Sequence, residues 1–277
     1  MSLSSLHLDA FMMVAKSKSF SEAAQRLHIT QSALSQRVLN LEGELQVSLF
    51  VREPSGVRMT ERGEQLLKYC QAKESLEEEF LSGIKLKNKK ELSGLARIAA
   101  FSTQTRSVLL PKLGAFARSN PHVQIELLTR EIRDLPRILR SGEVDFIFCD
   151  HLVEKQGWVN RLLGYEEYIL IESRQKTVRE NTYLDHDEFD SVTSDFWKIQ
   201  KAAPKNYQRA YFDEIYTIIE AVEEGFGRAV VPLHLIRDNH RVAVVKGLKS
   251  LKSPIYLIYF KQAFYTQLQL KLITYLA

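Results

Sequence analysis

Thr30, Gln31, Ser32, Ser35, Gln36 and Arg37 place hydroxyl, amide and guanidinium groups within eight residues of one another. Amides and hydroxyls both donate and accept hydrogen bonds. That is what reading the donor and acceptor pattern of base edges requires, while an arginine holds a phosphate. Groups at this spacing share a face only on a helix. The complementary positions are apolar or small: Ala23, Ala24, Leu27, Leu34, Val38 and Leu41, with Ile29 in between. Residues 20 to 42 therefore read as two short helices packed across a tight turn. Ala24 stands at the crossing point, where a larger side chain would hold the helices apart. Thr30 or Gln31 opens the second helix, where free N–H groups can also hold a phosphate. Taken alone, these residues fit a helical hairpin with a solvated polar face as well as a DNA-reading motif.

The stretch that follows narrows the choice. In LQVSLFVREPSGVRMTERGEQLL, residues 45 to 67, Leu49 and Phe50 are apolar anchors and Pro54-Ser55-Gly56 is a turn signal flanked by Arg52 and Arg58. Two short strands joined at that turn would form a wing, with Arg52 and Arg58 beside the DNA backbone or the minor groove. Thr60 reads as an N-cap for the next helix. Along that helix Leu66, Tyr69 or Cys70, Leu76, Phe80 and Ile84 recur at helical spacing, interrupted by Lys73. A long helix with one apolar stripe and no core of its own most simply buries that stripe against a second copy, so Leu66, Leu76, Phe80 and Ile84 are the expected dimer seam. Residues 1 to 70 hold eight basic and seven acidic side chains, a net charge of only +1. One copy alone would bind phosphates weakly, and two copies reading two half-sites would compensate.

Past the lysine-rich seam KLKNKKELSG, residues 85 to 94, the pattern changes. Strand-like GLARIAAF, VQIELL and VDFIFCD alternate with helical stretches near 105–118 and 133–140, which predicts βαβ units and a mostly parallel sheet. A second α/β stretch runs from about 165 to 236. Strand SPIYLIYF and a final helix close the chain.

Taken in order, AAQRLHITQSALSQRVLNLE, then Leu49-Phe50-x-Arg52, then Met59-Thr60-x-x-Gly63, make the chain similar to the LysR-type transcriptional regulators. The similarity continues through LSGLARIAAF, LLPKLGAF, NPHVQIEL, RSGEVDFIF and AVEEGFGRAVVP. The resemblance implies a winged helix-turn-helix over 1–60, a linker and dimerisation helix over 61–91, and a two-lobed α/β effector domain over 92–277 resembling periplasmic binding proteins. Lobe I would take about 92–163 and 238–277, and lobe II about 164–237. It also implies double-stranded DNA, a small-molecule effector and RNA polymerase as partners, and a homodimer or homotetramer. There are departures: the glycine common before the wing is Gln46, the proline frequent at the start of the recognition helix is Ser32, and 172–210 is short and lacks the usual His-Pro-Leu segment.

Ligands of open α/β sheets collect beyond the C-terminal strand ends, near helix N-termini. That picks out Ser102, Thr103 and Gln104 after the first strand, Thr129 and Ile132 after the second, Asp150 after the third, and Phe226 beside Gly225 and Gly227 from the second lobe. A run of hydroxyls and an amide at a helix start suits a carboxylate or other small anion. Catalytic patterns are lacking: there is no Gly-x-Ser-x-Gly, no His-Glu-x-x-His and no phosphate-cradling glycine loop. The expectation is a non-enzyme without cofactor or metal. A DNA-bending protein of the same build that needs no effector is the alternative reading.

The chain is 277 residues long, 45% hydrophobic, with 38 basic and 34 acidic side chains for a net charge of +4. This is globular composition, and it excludes disordered and fibrous classes. No apolar run approaches the roughly 18 to 20 residues of a membrane span, and the N-terminus lacks a signal-peptide pattern. A cytoplasmic protein without membrane contact is expected. Cys70 and Cys149 lie far apart without metal spacing, and packed, reduced thiols are expected.

Overall fold

The computed structural model describes residues 3–54, 56–85, 91–201 and 203–277. Ser55 of the expected wing turn and residues 86–90 of the lysine run lie outside the described residues. Helices α1 (Ser5–Ser17), α2 (Phe20–Arg26) and α3 (Gln31–Leu45) pack through Leu8, Phe11, Val14, Ala23, Ala24, Leu34, Val38 and Leu41, all buried. Ser19 caps α2 and Thr30 caps α3 through their side-chain oxygens. The hairpin β1 (Phe50–Glu53) and β2 (Gly56–Met59) pairs antiparallel beside them. Phe50 packs its ring against Phe11 and Phe20.

Thr60 accepts from the Gly63 N–H and starts α4 (Glu61–Lys85). Gly63 is fixed by space: a Cβ there would collide with the Leu49 carbonyl oxygen. The first turns of α4 turn inward, with Leu66, Leu67 and Cys70 buried in the same core as Leu8, Phe11, Leu41 and Leu49.

The rest of the chain builds on one seven-stranded sheet ordered β10-β6-β11-β5-β3-β4, with β9 also on β6. Strands β3 (Ser93–Ala100), β4 (His122–Thr129) and β5 (Phe146–Cys149) run parallel. Between them lie the three-residue α5 (Ser102–Gln104), a π-helical turn (Thr105–Leu109), α6 (Leu110–Ser119), a 3-10 turn (Ile132–Asp134) and α7 (Leu135–Arg140). The sheet is not mostly parallel as the alternation predicts. The sixteen-residue β6 (Trp158–Ser173) and the ten-residue β11 (Leu251–Phe260) run antiparallel to each other, and β11 runs antiparallel to β5. These two strands cross from one lobe to the other, so their direction is set by the return path of the chain and not by a βαβ step.

Beyond the crossing, β7 (Thr182–Asp185), α8 (Val192–Lys198), β8 (Gln208–Tyr211), α9 (Ile215–Glu223), β9 (Ala229–Pro232), a 3-10 turn (Leu233–Leu235) and β10 (Val242–Val244) make the second lobe. Short as it is, this lobe keeps a core of its own, with Ile171, Leu184, Ile218, Val222, Ala229 and Val231 buried together. Helix α10 (Gln267–Leu276) then returns to the first lobe, where Leu268, Leu272 and Leu276 join Ile98, Leu113, Phe146 and Ile258. Among the described residues no helix is long and apolar enough to cross a membrane.

Candidate nucleic-acid interface and interlobe site

On α3 the polar face is where the spacing puts it. Gln31, Ser32 and Gln36 are exposed, Ser35 and Arg37 half-buried, and Thr30 exposed at the cap. The groups already hold one another in place: Thr30 Oγ1 lies 3.0 Å from Ser32 Oγ, Ser21 Oγ donates to Gln31 Oε1 at 3.2 Å, and Gln36 Nε2 donates to Asn40 Oδ1 at 2.8 Å. These are exposed hydrogen bonds, cheap to exchange for others. In the wing, Arg58 donates to Glu53 Oε1 at 2.6 Å, so it must leave or share that carboxylate to meet a phosphate. Arg52 lies on β1 and its side chain is outside the described residues.

Helix α4 has two different faces. One side is tied to lobe I: Glu64 pairs with Lys155 at 2.6 Å, Glu78 with Arg97 at 3.6 Å, and Glu79 Oε1 accepts from the Gln267 N–H at 2.8 Å. Gly142 sits against it at φ 73°, where a Cβ would strike the Gln71 amide. The other side exposes Tyr69, Leu76, Phe80 (67%), Leu81 and Ile84 (66%). Leu66 is not part of that stripe. It is only 8% exposed, because its turn of α4 still belongs to the winged domain. Beside the stripe an open groove of about 710 Å³ is lined by Tyr69, Leu76 and Phe80 on one wall and by Gln262 and Phe264 on the other.

Between the lobes, Ser102, Thr103 and Gln104 come together on one short helical turn, but their donors are already engaged. Thr103 Oγ1 and Gln104 Nε2 donate to Glu166 Oε1, at 3.4 and 3.0 Å. Ser102 Oγ donates to Glu214 Oε1 at 3.3 Å. Glu166 stands on β6 at the lobe crossing, only 5% exposed, and also accepts from the Tyr168 hydroxyl at 2.8 Å. His234 Nδ1 approaches it to 3.5 Å from the second lobe. Burial pushes the Glu166 carboxyl above the usual range, against the three hydrogen bonds that lower it. His234 is pushed the other way, toward the neutral ring, by its burial.

The anionic effector expected from the hydroxyl-rich turn therefore meets an obstacle. The donors that would greet a carboxylate are already given to Glu166 and Glu214, and Asp150 adds its negative field to Glu166.

The other expected residues spread out. Thr129 is exposed at the end of β4, Ile132 packs on the lobe I core, and Phe226 stacks edge-on to Phe212 at 5.9 Å within lobe II. No hydrogen bond or ion pair among the described residues links these three to the Glu166 node. Arg106 does reach across, its guanidinium 4.1 Å from the Tyr216 ring and 3.8 Å from Glu214.

Sequence reasoning passed over Glu166, Tyr168, Glu214 and His234. One signal was available for two of them. In YEEYILIES the alternation puts Glu166 and Tyr168 on the same strand face as the core residue Leu170, which marks Glu166 as a carboxylate at an inward position. Cys149 is buried at the end of β5, its thiol pushed up to about 11 by desolvation, and Cys70 is likewise buried on α4.

A winged helix-turn-helix with an exposed polar face, joined through one long helix to two lobes that meet over a buried polar node, defines a DNA-binding regulator with a ligand-holding domain. The family model described as bacterial regulatory helix-turn-helix protein, lysR family, matches residues 6–64, and that described as LysR substrate binding domain matches 89–277. The chain belongs to the LysR family of DNA-binding transcriptional regulators.

Among curated relatives it is 27% identical to the HTH-type transcriptional regulator YofA of Bacillus subtilis over 242 residues, 86% of this chain and 84% of that protein. Its fold is shared with ArgP from Mycobacterium tuberculosis at a TM-score of 0.76 and 20% identity, covering 99% of this chain and 96% of that one. It is shared as well with full-length LysG from Corynebacterium glutamicum, with bound effector Arg, at a TM-score of 0.73 and 17% identity over 98% and 95% of the two chains.

Proposed function

We propose that the chain acts as a homodimer, or a tetramer built from two dimers, whose DNA reading is adjusted by a small molecule bound between lobes I and II. Gln31, Ser32, Ser35 and Gln36 meet base edges, while Thr30, Arg37, Arg52 and Arg58 hold phosphates. The exposure of the α3 face supports the first assignment. The bare stripe Tyr69, Leu76, Phe80 and Ile84 supports pairing through α4.

The observation that carries the effector reading is the Glu166 node. One buried carboxylate on a crossing strand takes donors from Thr103 and Gln104 of lobe I and has His234 of lobe II beside it. A ligand that competes for these groups changes how the lobes sit on each other. With Glu166, Glu214 and Asp150 around the opening, the effector class favoured is one rich in hydrogen-bond donors, such as an ammonium or polyhydroxyl compound, in place of an anion.

A thermal-shift screen of amines, amino acids, polyols and carboxylates tests this, because a ligand bound only by the native state raises the melting temperature. For a donor-rich hit, Thr103→Val keeps the shape and deletes one hydroxyl. It should strengthen the response by a few-fold to about tenfold, the worth of the one hydrogen bond the ligand no longer has to displace from Glu166, and leave effector-free DNA affinity as it was. A screen in which only carboxylates stabilise the protein, or a Thr103→Val, Gln104→Leu variant that responds like the wild type, would move the site or its chemistry elsewhere.

A further inference from the structure

At the end of β5 three successive side chains of different ligand type turn toward one point. Cys149 Sγ lies 3.5 Å from His151 Nδ1 and 3.9 Å from Asp150 Oδ1, and His151 Nδ1 lies 2.7 Å from Asp150 Oδ1. On a strand, neighbouring side chains point to opposite faces. Convergence of all three requires the chain to leave the strand at Asp150, which it does. A sulfur, an imidazole nitrogen and a carboxylate oxygen, all within 4.8 Å of one another, form the one mixed cluster of this kind among the described residues.

We infer that Cys149, Asp150 and His151 form a binding site for a borderline-soft divalent cation of the zinc class, with an open coordination position. This departs from the metal-free expectation of the sequence, which looked for spaced ligands and not for a consecutive triplet. Bond lengths of about 2.3 Å to sulfur and about 2.0 to 2.1 Å to nitrogen, at a tetrahedral angle, give a sulfur-to-nitrogen edge of roughly 3.6 Å. The observed 3.5 Å already fits. The sulfur-to-oxygen separation of 3.9 Å has to close a little, and the nitrogen-to-oxygen separation of 2.7 Å has to open as the hydrogen bond between Asp150 and His151 gives way to two metal bonds. As the cation enters, the thiol proton goes to solvent, so binding strengthens with rising pH.

The buried sulfur supplies the soft ligand, and the partly exposed Asp150 and exposed His151 leave an entry path. The site shares Asp150 with the rim of the Glu166 opening, while Cys149 and His151 belong to it alone, so the cobalt and His151 measurements read it apart from effector binding. From it the loop 150–157 runs to α4, where Lys155 pairs with Glu64, so occupancy stiffens a segment that touches the linker helix.

The test uses the full-length reduced protein with zinc or cobalt as the probe. Cobalt should give a thiolate charge-transfer absorption that is absent in Cys149→Ser and retained in Cys70→Ser. Zinc, measured against a chromophoric chelator, should bind at one equivalent per chain. The affinity should fall at least about tenfold in His151→Ala, which alters an exposed side chain and leaves the core alone. Zinc should also slow amide exchange in residues 150–157 of the wild type and not of His151→Ala. Absence of the cobalt band in the folded wild type, equal zinc affinity in His151→Ala, or zinc binding without protection of 150–157 would each overturn the assignment.

Discussion

Gln46 shows how a single residue departs from its family's habit at a measurable cost. It ends α3 at φ 54° and ψ 36°, the left-handed region, with the Val47 N–H closing on the Glu42 carbonyl at 3.2 Å. A side chain with a Cβ is disfavoured there by roughly 1 kcal/mol relative to glycine. Gln46→Gly should therefore stabilise the winged domain by about 0.5 to 1 kcal/mol, part of the relief being offset by the freedom glycine gains in the unfolded chain. Chemical denaturation, with amide exchange of α3 as the local probe, reads this. A variant less stable than the wild type would mean that the Gln46 side chain makes up for its own strain. At this scale the exposed polar face of α3 was legible, because exposed polar residues at helical spacing need only local geometry to find one another. The partners of Thr103 and Gln104 were not, since Glu166 lies about sixty positions away and is brought in by the lobe crossing.

Helix α4 was legible as an element and misread at its first turns. Its apolar positions form one periodic series, yet the series changes partner partway along: Leu66 and Cys70 face Leu8, Phe11 and Leu41, while Leu76, Phe80 and Ile84 face outward. Periodicity records that a face is apolar and says nothing of what covers it. If a second α4 covers the outer part, Phe80→Asp places an unpaired charge in an apolar seam, at a cost of several kcal/mol that separation avoids. Sedimentation should then show half the wild-type mass. The far-ultraviolet circular dichroism should stay unchanged, because Phe80 makes little contact within its own chain. An unchanged mass would remove the seam from this part of α4.

At the scale of the whole molecule, the alternation of strands and helices pointed to two α/β stretches, and the resemblance made them lobes, but neither showed the direction of the strands that join them. Trp158–Ser173 mixes apolar and charged residues, and only the fold reveals that it is one strand whose first part pairs with β11 in lobe I and whose second part pairs with β9 and β10 in lobe II. The same long-range assembly sets the charges between lobe I and α4. Asp145 Oδ2 accepts from the Arg97 N–H at 3.0 Å, and the Arg97 guanidinium pairs with Glu78 on α4 and reaches Glu126 at 3.9 Å. Burial pushes the Asp145 carboxyl up to about 6, with Glu78 and Glu74 reinforcing the rise and Arg97 opposing it; Glu78 is raised by burial too.

A carboxyl raised in the folded state holds its proton more tightly there than in the unfolded chain. Its contribution to stability is thus greatest below about pH 4, declines as the pH rises toward 6, and stays low beyond. Replacing Asp145 with Asn keeps an oxygen for the Arg97 N–H and removes the ionisation. Asp145→Asn should match the wild type near pH 4 and be more stable at pH 7. The gain should be at most about 3 kcal/mol, and less to the extent that water reaches the partly exposed edge of the residue. Melting temperatures of both proteins across that range decide the matter. A difference that does not grow between pH 4 and pH 7 would show that Arg97 offsets the burial of Asp145 in full.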